Sequence, residues 1–157
     1  MAVQIAVIGS GAENEASAEE VGRLIAEGGA TLVCGGLDEV MEAAARGARR
    51  AGGVTIGILP GESKGAASPW IDHVVVTGMG HARNLAVAAS GDAVIAVGGG
   101  YGTLSEIAYA RILGRPVVAL EGGWQLEREG IAVAATPGEA VQLALRLASG
   151  GDVPASG

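Results

Sequence analysis

Phenylalanine is absent from this chain, and two tryptophans and two tyrosines are its only aromatic rings. With so few rings to stack on bases, and a formal charge of −7 that repels a phosphate backbone, nucleic acid is not expected as a partner. One cysteine, Cys34, rules out an internal disulfide, and with only His73 and His81 beside it no metal site is expected. The single lysine, Lys64, sits in the flexible-looking run Gly61-Glu62-Ser63-Lys64-Gly65. Pyridoxal-phosphate chemistry needs a Schiff-base lysine on a firm scaffold, so it is not expected either. No apolar run approaches the roughly 18 residues of a membrane span. Met1-Ala2-Val3-Gln4-Ile5 carries no basic residue and leads straight into a strand pattern. It does not read as a secretory signal, and a cytoplasmic protein is expected.

What the chain has is glycine, 28 residues of it, often beside alanine. That composition suits tight turns and close helix–sheet packing. Short continuous apolar runs alternate with longer helical patterns, the mark of a parallel sheet covered on both faces. Strands are expected at about 3–8, 31–34, 54–59, 72–76, 92–97, 116–120 and 131–134, and helices at about 17–28, 38–51, 81–89, 103–113 and 138–148. Ser17 with Glu20 predicts a capping box for the first helix, Gly28-Gly29 its end, and Pro137 the start of the last helix. The expectation is a single-domain, Rossmann-like, doubly wound α/β sheet over residues 1–148, followed by a flexible tail at 149–157. Such sheets bind ligands outside the carboxyl ends of their strands. Three glycine turns fall there: Gly9-Ser10-Gly11, Gly35-Gly36 and Gly98 to Gly102.

The third turn is the most informative. Val94-Ile95-Ala96-Val97 runs into Gly98-Gly99-Gly100-Tyr101-Gly102, and Thr103 through Glu106 follow on a helix. Bare backbone N–H groups at the positive end of a helix dipole seat a phosphate or another anion. The dinucleotide fingerprint is not met, because Asn14 and Thr103 stand where its third glycine belongs. No P-loop and no serine nucleophile elbow occur.

Two ionisable residues stand out by position. Arg83 opens the helix after the fourth strand, and Glu106 lies early in the helix after the glycine turn. The arginine could clamp phosphate or ribose oxygens, or pair with a nearby acid as a solvated helix residue. The carboxylate could stabilise positive charge developing on a sugar carbon and orient a water. Equally, Thr103-Leu104-Ser105-Glu106 is a capping box in which Glu106 merely bonds back to Thr103. Tyr101 could cover a ligand or shield the loop. His81 reads as a polar residue at a helix start, and Trp70 and Trp124 as partial core or subunit contacts.

Gly98-Gly99-Gly100-Tyr101-Gly102-Thr103-Leu104-Ser105-Glu106 resembles the P-G-G-x-G-T-x-x-E motif of the Lonely Guy family, phosphoribohydrolases of cytokinin riboside 5′-monophosphates long misannotated as lysine decarboxylases. The segment Cys34 to Glu42 resembles that family's G-G-G-x-x-G-L-M-G run. Similarity extends through most of residues 3–120, and is closer still to the related short Rossmann-like proteins that include molybdenum cofactor carriers. The resemblance implies Arg83 and Glu106 as the catalytic pair, a 5′-phosphate on Gly99, Gly100, Gly102 and Thr103, and Gly9-Ser10 along the nucleotide. Gly35, Gly36 and Tyr101 complete the expected ligand-binding set. It also implies a homodimer or higher oligomer, no cofactor, and a small phosphorylated ligand such as AMP. Four departures stand out: Asn84 replaces a lysine, Gly98 a proline, and Glu39 and Glu42 replace small glycines. Two readings follow. One is a nucleoside 5′-monophosphate phosphoribohydrolase cleaving the N-glycosidic bond; the other is a non-catalytic binding or carrier protein for a nucleotide or molybdenum cofactor.

Overall fold

The structure is a computed structural model that describes residues 1–37, 39–120, 122–124, 126 and 131–152. Asp38, inside the second resemblance segment, and residues 153–157 of the expected tail lie outside the described residues.

Seven strands form one parallel sheet: β1 (Gln4–Ser10), β2 (Thr31–Cys34), β3 (Thr55–Leu59), β4 (His73–Val76), β5 (Ala93–Gly98), β6 (Val117–Leu120) and β7 (Ile131–Ala134). Their order across the sheet is β4-β3-β2-β1-β5-β6-β7. The chain winds outward from β1 to one edge, returns to β5, and winds outward to the other edge. The neighbours β1 and β5 are therefore the point where winding direction reverses, and the loops beyond them part to leave a crevice.

The helices are α1 (Glu15–Glu27), α2 (Glu39–Arg50), α3 (Arg83–Ser90), α4 (Tyr101–Ile112) and α5 (Pro137–Ala148). Alternation along the central strands decides which face covers which helix. Ile5, Val7, Ile95 and Val97 pack with α1, α2 and α5, whereas Ala6, Ile8, Val94 and Ala96 pack with α3 and α4. All six residues of β5 are buried, which explains its unbroken apolar run.

Every expected strand and helix is present within a few residues, but two expected caps are not. The first helix starts at Glu15 after a 3₁₀ turn over Ala12–Asn14, so Ser17 lies inside it. Glu20 accepts from Arg23 at 2.6 Å instead of capping. Likewise α4 starts at Tyr101, two residues before the expected position, because the Leu104 N–H reaches the Gly100 carbonyl at 3.0 Å. Pro137 and Gly28 do bound their helices as expected. Ser149, Gly150 and Gly151 return their amides to carbonyls of α5, so this part of the expected tail closes the last helix.

Candidate functional site

At the end of β5 the backbone takes positive φ at Gly98 and Gly99, 62° and 123°, before straightening at Gly100. A Cβ on Gly99 would lie 2.4 Å from the Thr103 side chain, so the loop closes onto α4 only with glycine there. The Gly100 N–H donates to Ser10 Oγ at 3.1 Å, which ties the β5–α4 loop to the end of β1 across the switch point. Leu104 is the first residue of α4 whose amide finds an acceptor within the helix. The amides of Tyr101, Gly102 and Thr103 therefore face outward at the positive end of the helix dipole.

Beside them is a cavity of about 180 Å³. Gly9 and Ser10 of β1, Arg83 at the start of α3, and Gly100, Gly102, Thr103 and Glu106 of the loop and α4 all line it. Arg83 and Glu106 are both nearly buried, at 8% and 7% exposure. Arg83 Nη1 stands 3.8 Å from Glu106 Oε1, close enough for charge attraction and too far for a hydrogen bond. The same Nη1 donates to Asn84 Oδ1 at 2.8 Å; Asn84 Nδ2 donates to Ser105 Oγ, which donates to the Gly102 carbonyl at 2.6 Å. This chain of polar contacts holds the guanidinium against the first turn of α4. Asn84, where the resemblance expects a lysine, supplies its middle link.

Burial leaves this pair under-satisfied. Arg83 Nε is buried with no hydrogen-bond partner, a donor waiting for an acceptor. Loss of solvent pulls the guanidinium below its ordinary value, opposed by the nearby Glu106. It pushes the Glu106 carboxyl up to about 7, with Arg83 pulling the other way. Glu106 is therefore not a helix cap: it is in the second turn of α4, and its carboxyl belongs to the Arg83 pair.

Gly35, Gly36, Gly99 and Tyr101 do not line the cavity. Gly35 lies behind it, where a Cβ would come within 2.7 Å of Arg83 Nη1; its missing side chain is the room the guanidinium occupies. Gly36 packs on Leu59 and Gly57. Gly99 faces a separate hollow of about 390 Å³ on the other side of the loop, next to Trp124. Tyr101 is exposed and tilts against the Trp124 ring, centroids 5.9 Å apart, while Trp124 Nε1 donates to the Gly100 carbonyl. Val7, Ile8, Met41 and His81 also line the cavity and were not expected there, and Asn84 lines it at the position where the resemblance puts a lysine. Met41 had no distinguishing pattern, because only the packing of α2 aims it inward. A larger hollow of about 490 Å³ runs along α1 and α2. Its charges are paired, Arg23 with Glu20 and Arg50 with Glu19, and both arginine side chains are exposed to solvent.

The profile of the SLOG cluster4 family matches residues 2–145. An uncharacterized protein of Archaeoglobus fulgidus is 47% identical over 142 residues, covering 88% of this chain and 92% of that one. Among solved structures, the molybdenum cofactor binding protein of the phototrophic bacterium Rippkaea orientalis is similar at TM-score 0.85 and 36% identity, covering 91% of this chain and 95% of its own. The molybdenum cofactor carrier protein of Chlamydomonas reinhardtii is similar at TM-score 0.87 and 35% identity, covering 95% and 99%.

Proposed function

The chain belongs to the SLOG cluster4 family, and from that premise we propose that it binds a phosphorylated heterocycle, such as a nucleoside monophosphate or the molybdenum cofactor, as a carrier. The carrying observation is the buried Arg83 with an unpartnered Nε beside the outward amides of Gly102 and Thr103 on α4. Two independent donor sets converge on one cavity, and an anion satisfies both. Arg83 and Glu106 act with Gly9, Ser10, Gly100, Gly102 and Thr103 around the phosphate. The names of the two similar solved structures, a molybdenum cofactor binding protein and a molybdenum cofactor carrier protein, support the cargo.

The basis for preferring carriage to cleavage is the pair of similar solved structures, a molybdenum cofactor binding protein and a molybdenum cofactor carrier protein. A phosphate against Arg83 adds negative charge near a carboxyl already raised to about 7, which favours its neutral form. A neutral acid can protonate a leaving base, but it neither stabilises an oxocarbenium ion nor activates water until it ionises. The phosphoribohydrolase reading keeps one observation in its favour: Arg83 and Glu106 stand side by side in the cavity.

The deciding experiment titrates AMP and molybdenum cofactor into wild type, Arg83→Gln and Gly100→Asp, and follows free base by chromatography. A Cβ at Gly100 would meet nothing closer than Ser10 Oγ at 4.0 Å, so its aspartate variant folds and sets a carboxylate in the anion seat. Both variants are expected to weaken binding at least about tenfold, with no base released. Base released by wild type and lost in Glu106→Ala would replace the carrier reading with hydrolysis. Unchanged affinity in both binding variants would remove the anion seat.

A further inference from the structure

Glu39 is the one residue other than glycine with positive φ among the described residues, at 50°. L-residues avoid this conformation, and the sequence resemblance puts a glycine at this position. Its carboxylate accepts the Gly11 N–H at 2.9 Å, across 28 positions of sequence. Gly11 follows Ser10, which lines the cavity, and Met41 on α2, two residues after Glu39, lines it from another side. The Glu13 carboxylate crowds the same turn: a Cβ on Gly11 would lie 2.6 Å from its Oε1. In doubly wound sheets the turn after the first strand offers its amides to a ligand phosphate. Here a protein carboxylate already holds one of them, in the place a phosphoryl oxygen would take.

Resting on the reading of the cavity as an anion seat, we infer that Glu39 is a specificity-determining residue that closes the β1–α1 turn to a second phosphoryl group. A ligand seated at the N-terminus of α4 and extending toward Gly11 meets the fixed charges of Glu39 and Glu13 and an amide already bonded. A single phosphoryl group at α4 avoids both. The ligand class is a phosphomonoester, and diphosphates are excluded by charge rather than by volume. The left-handed backbone at Glu39 is the local strain that accompanies this device, and a glycine would relieve it while removing the charge.

Calorimetric titration of the full chain with AMP, ADP, inorganic phosphate and pyrophosphate tests this in wild type, Glu39→Gln and Glu39→Gly. The glutamine variant keeps an acceptor and loses only the charge, and the glycine variant frees the amide without strain. Wild type is expected to prefer AMP over ADP, and phosphate over pyrophosphate, by about tenfold or more. Both variants are expected to bring each ratio within about threefold by tightening the diphosphate, leaving AMP unchanged within about twofold. Ratios that stay at the wild-type value in both variants would make Glu39 only a latch between α2 and the β1 loop, and overturn the inference. A wild type that binds both members of each pair equally overturns it as well, while sparing the anion seat. If none of the four ligands binds any of the three proteins, the anion seat itself fails and the inference with it.

Discussion

Burial sets Glu106 apart from the exposed carboxylates of this chain. Its folded-state value of about 7 lies above its ordinary 4.5, so the folded protein holds that proton more tightly than the unfolded chain does. The associated stability is complete below 4.5 and is lost as pH rises through about 7. That interval corresponds to roughly 3 kcal/mol. Glu19 and Glu20 shift the other way beside their arginines, but their exposure keeps those contributions small and confines them to acid pH. Glu106→Gln is therefore expected to melt above wild type at pH 8, with the gap closing by pH 5. A gap of constant size across a pH series of thermal melts would instead mean that packing, and not ionisation, distinguishes the two. The position of Glu106 was legible in the glycine-turn motif. Its environment was not, because T-x-x-E spacing suits a cap equally well and only the start of α4 at Tyr101 decides between them.

Between elements, the closest approach is that of α1 and α2. A Cβ at Gly22 would lie 1.9 Å from the Ala44 carbonyl oxygen, and one at Gly47 equally close to that of Glu19. The two backbones touch, and Arg46 and Arg50 then reach Glu19 across the crossing at 2.9 and 2.8 Å. Gly22→Val must push the helices apart and is expected to cost about 3 kcal/mol or more. Gly61→Ala, where a Cβ meets nothing within 4 Å, is expected to stay within about 0.5 kcal/mol. Urea unfolding of both variants measures the difference. Sequence periodicity marked these helices correctly, yet it could not say which of 28 glycines are contacts and which are turns.

Across the whole molecule, the net charge of −7 works against self-association everywhere except where charge is absent. On the outer side of α3 and α4 charge is sparse. Leu85, Ala108 and Ile112 are exposed there, while Arg83 and Glu106 on the same helices are turned inward and buried, and Arg111, beside Ile112, is half-buried with its Nη1 donating to the Arg115 carbonyl. The expected homo-oligomer is best served by this face, since burying Ile112, 78% exposed, removes a large apolar area from water. Wild type is expected to elute as a dimer or larger in light-scattering chromatography, and Ile112→Glu to shift it toward monomer. A wild type that is monomeric at high concentration would discard this face as a contact.

Element order was settled by the sequence alone, because apolar runs of four to six residues between helical repeats admit few arrangements other than a doubly wound parallel sheet. The glycine turn after the most apolar strand likewise pointed to the end of the sheet where the candidate cavity lies. The tertiary structure decided which residues share the cavity. Reversal of winding between β1 and β5 brings Ser10 to Gly100, and packing of α3 against α4 turns Arg83 toward Glu106. It also sent Gly35 behind the guanidinium and Tyr101 out onto Trp124. These are matters of side-chain direction and solvent exclusion, which depend on contacts between positions far apart in the chain. No local spacing encodes them.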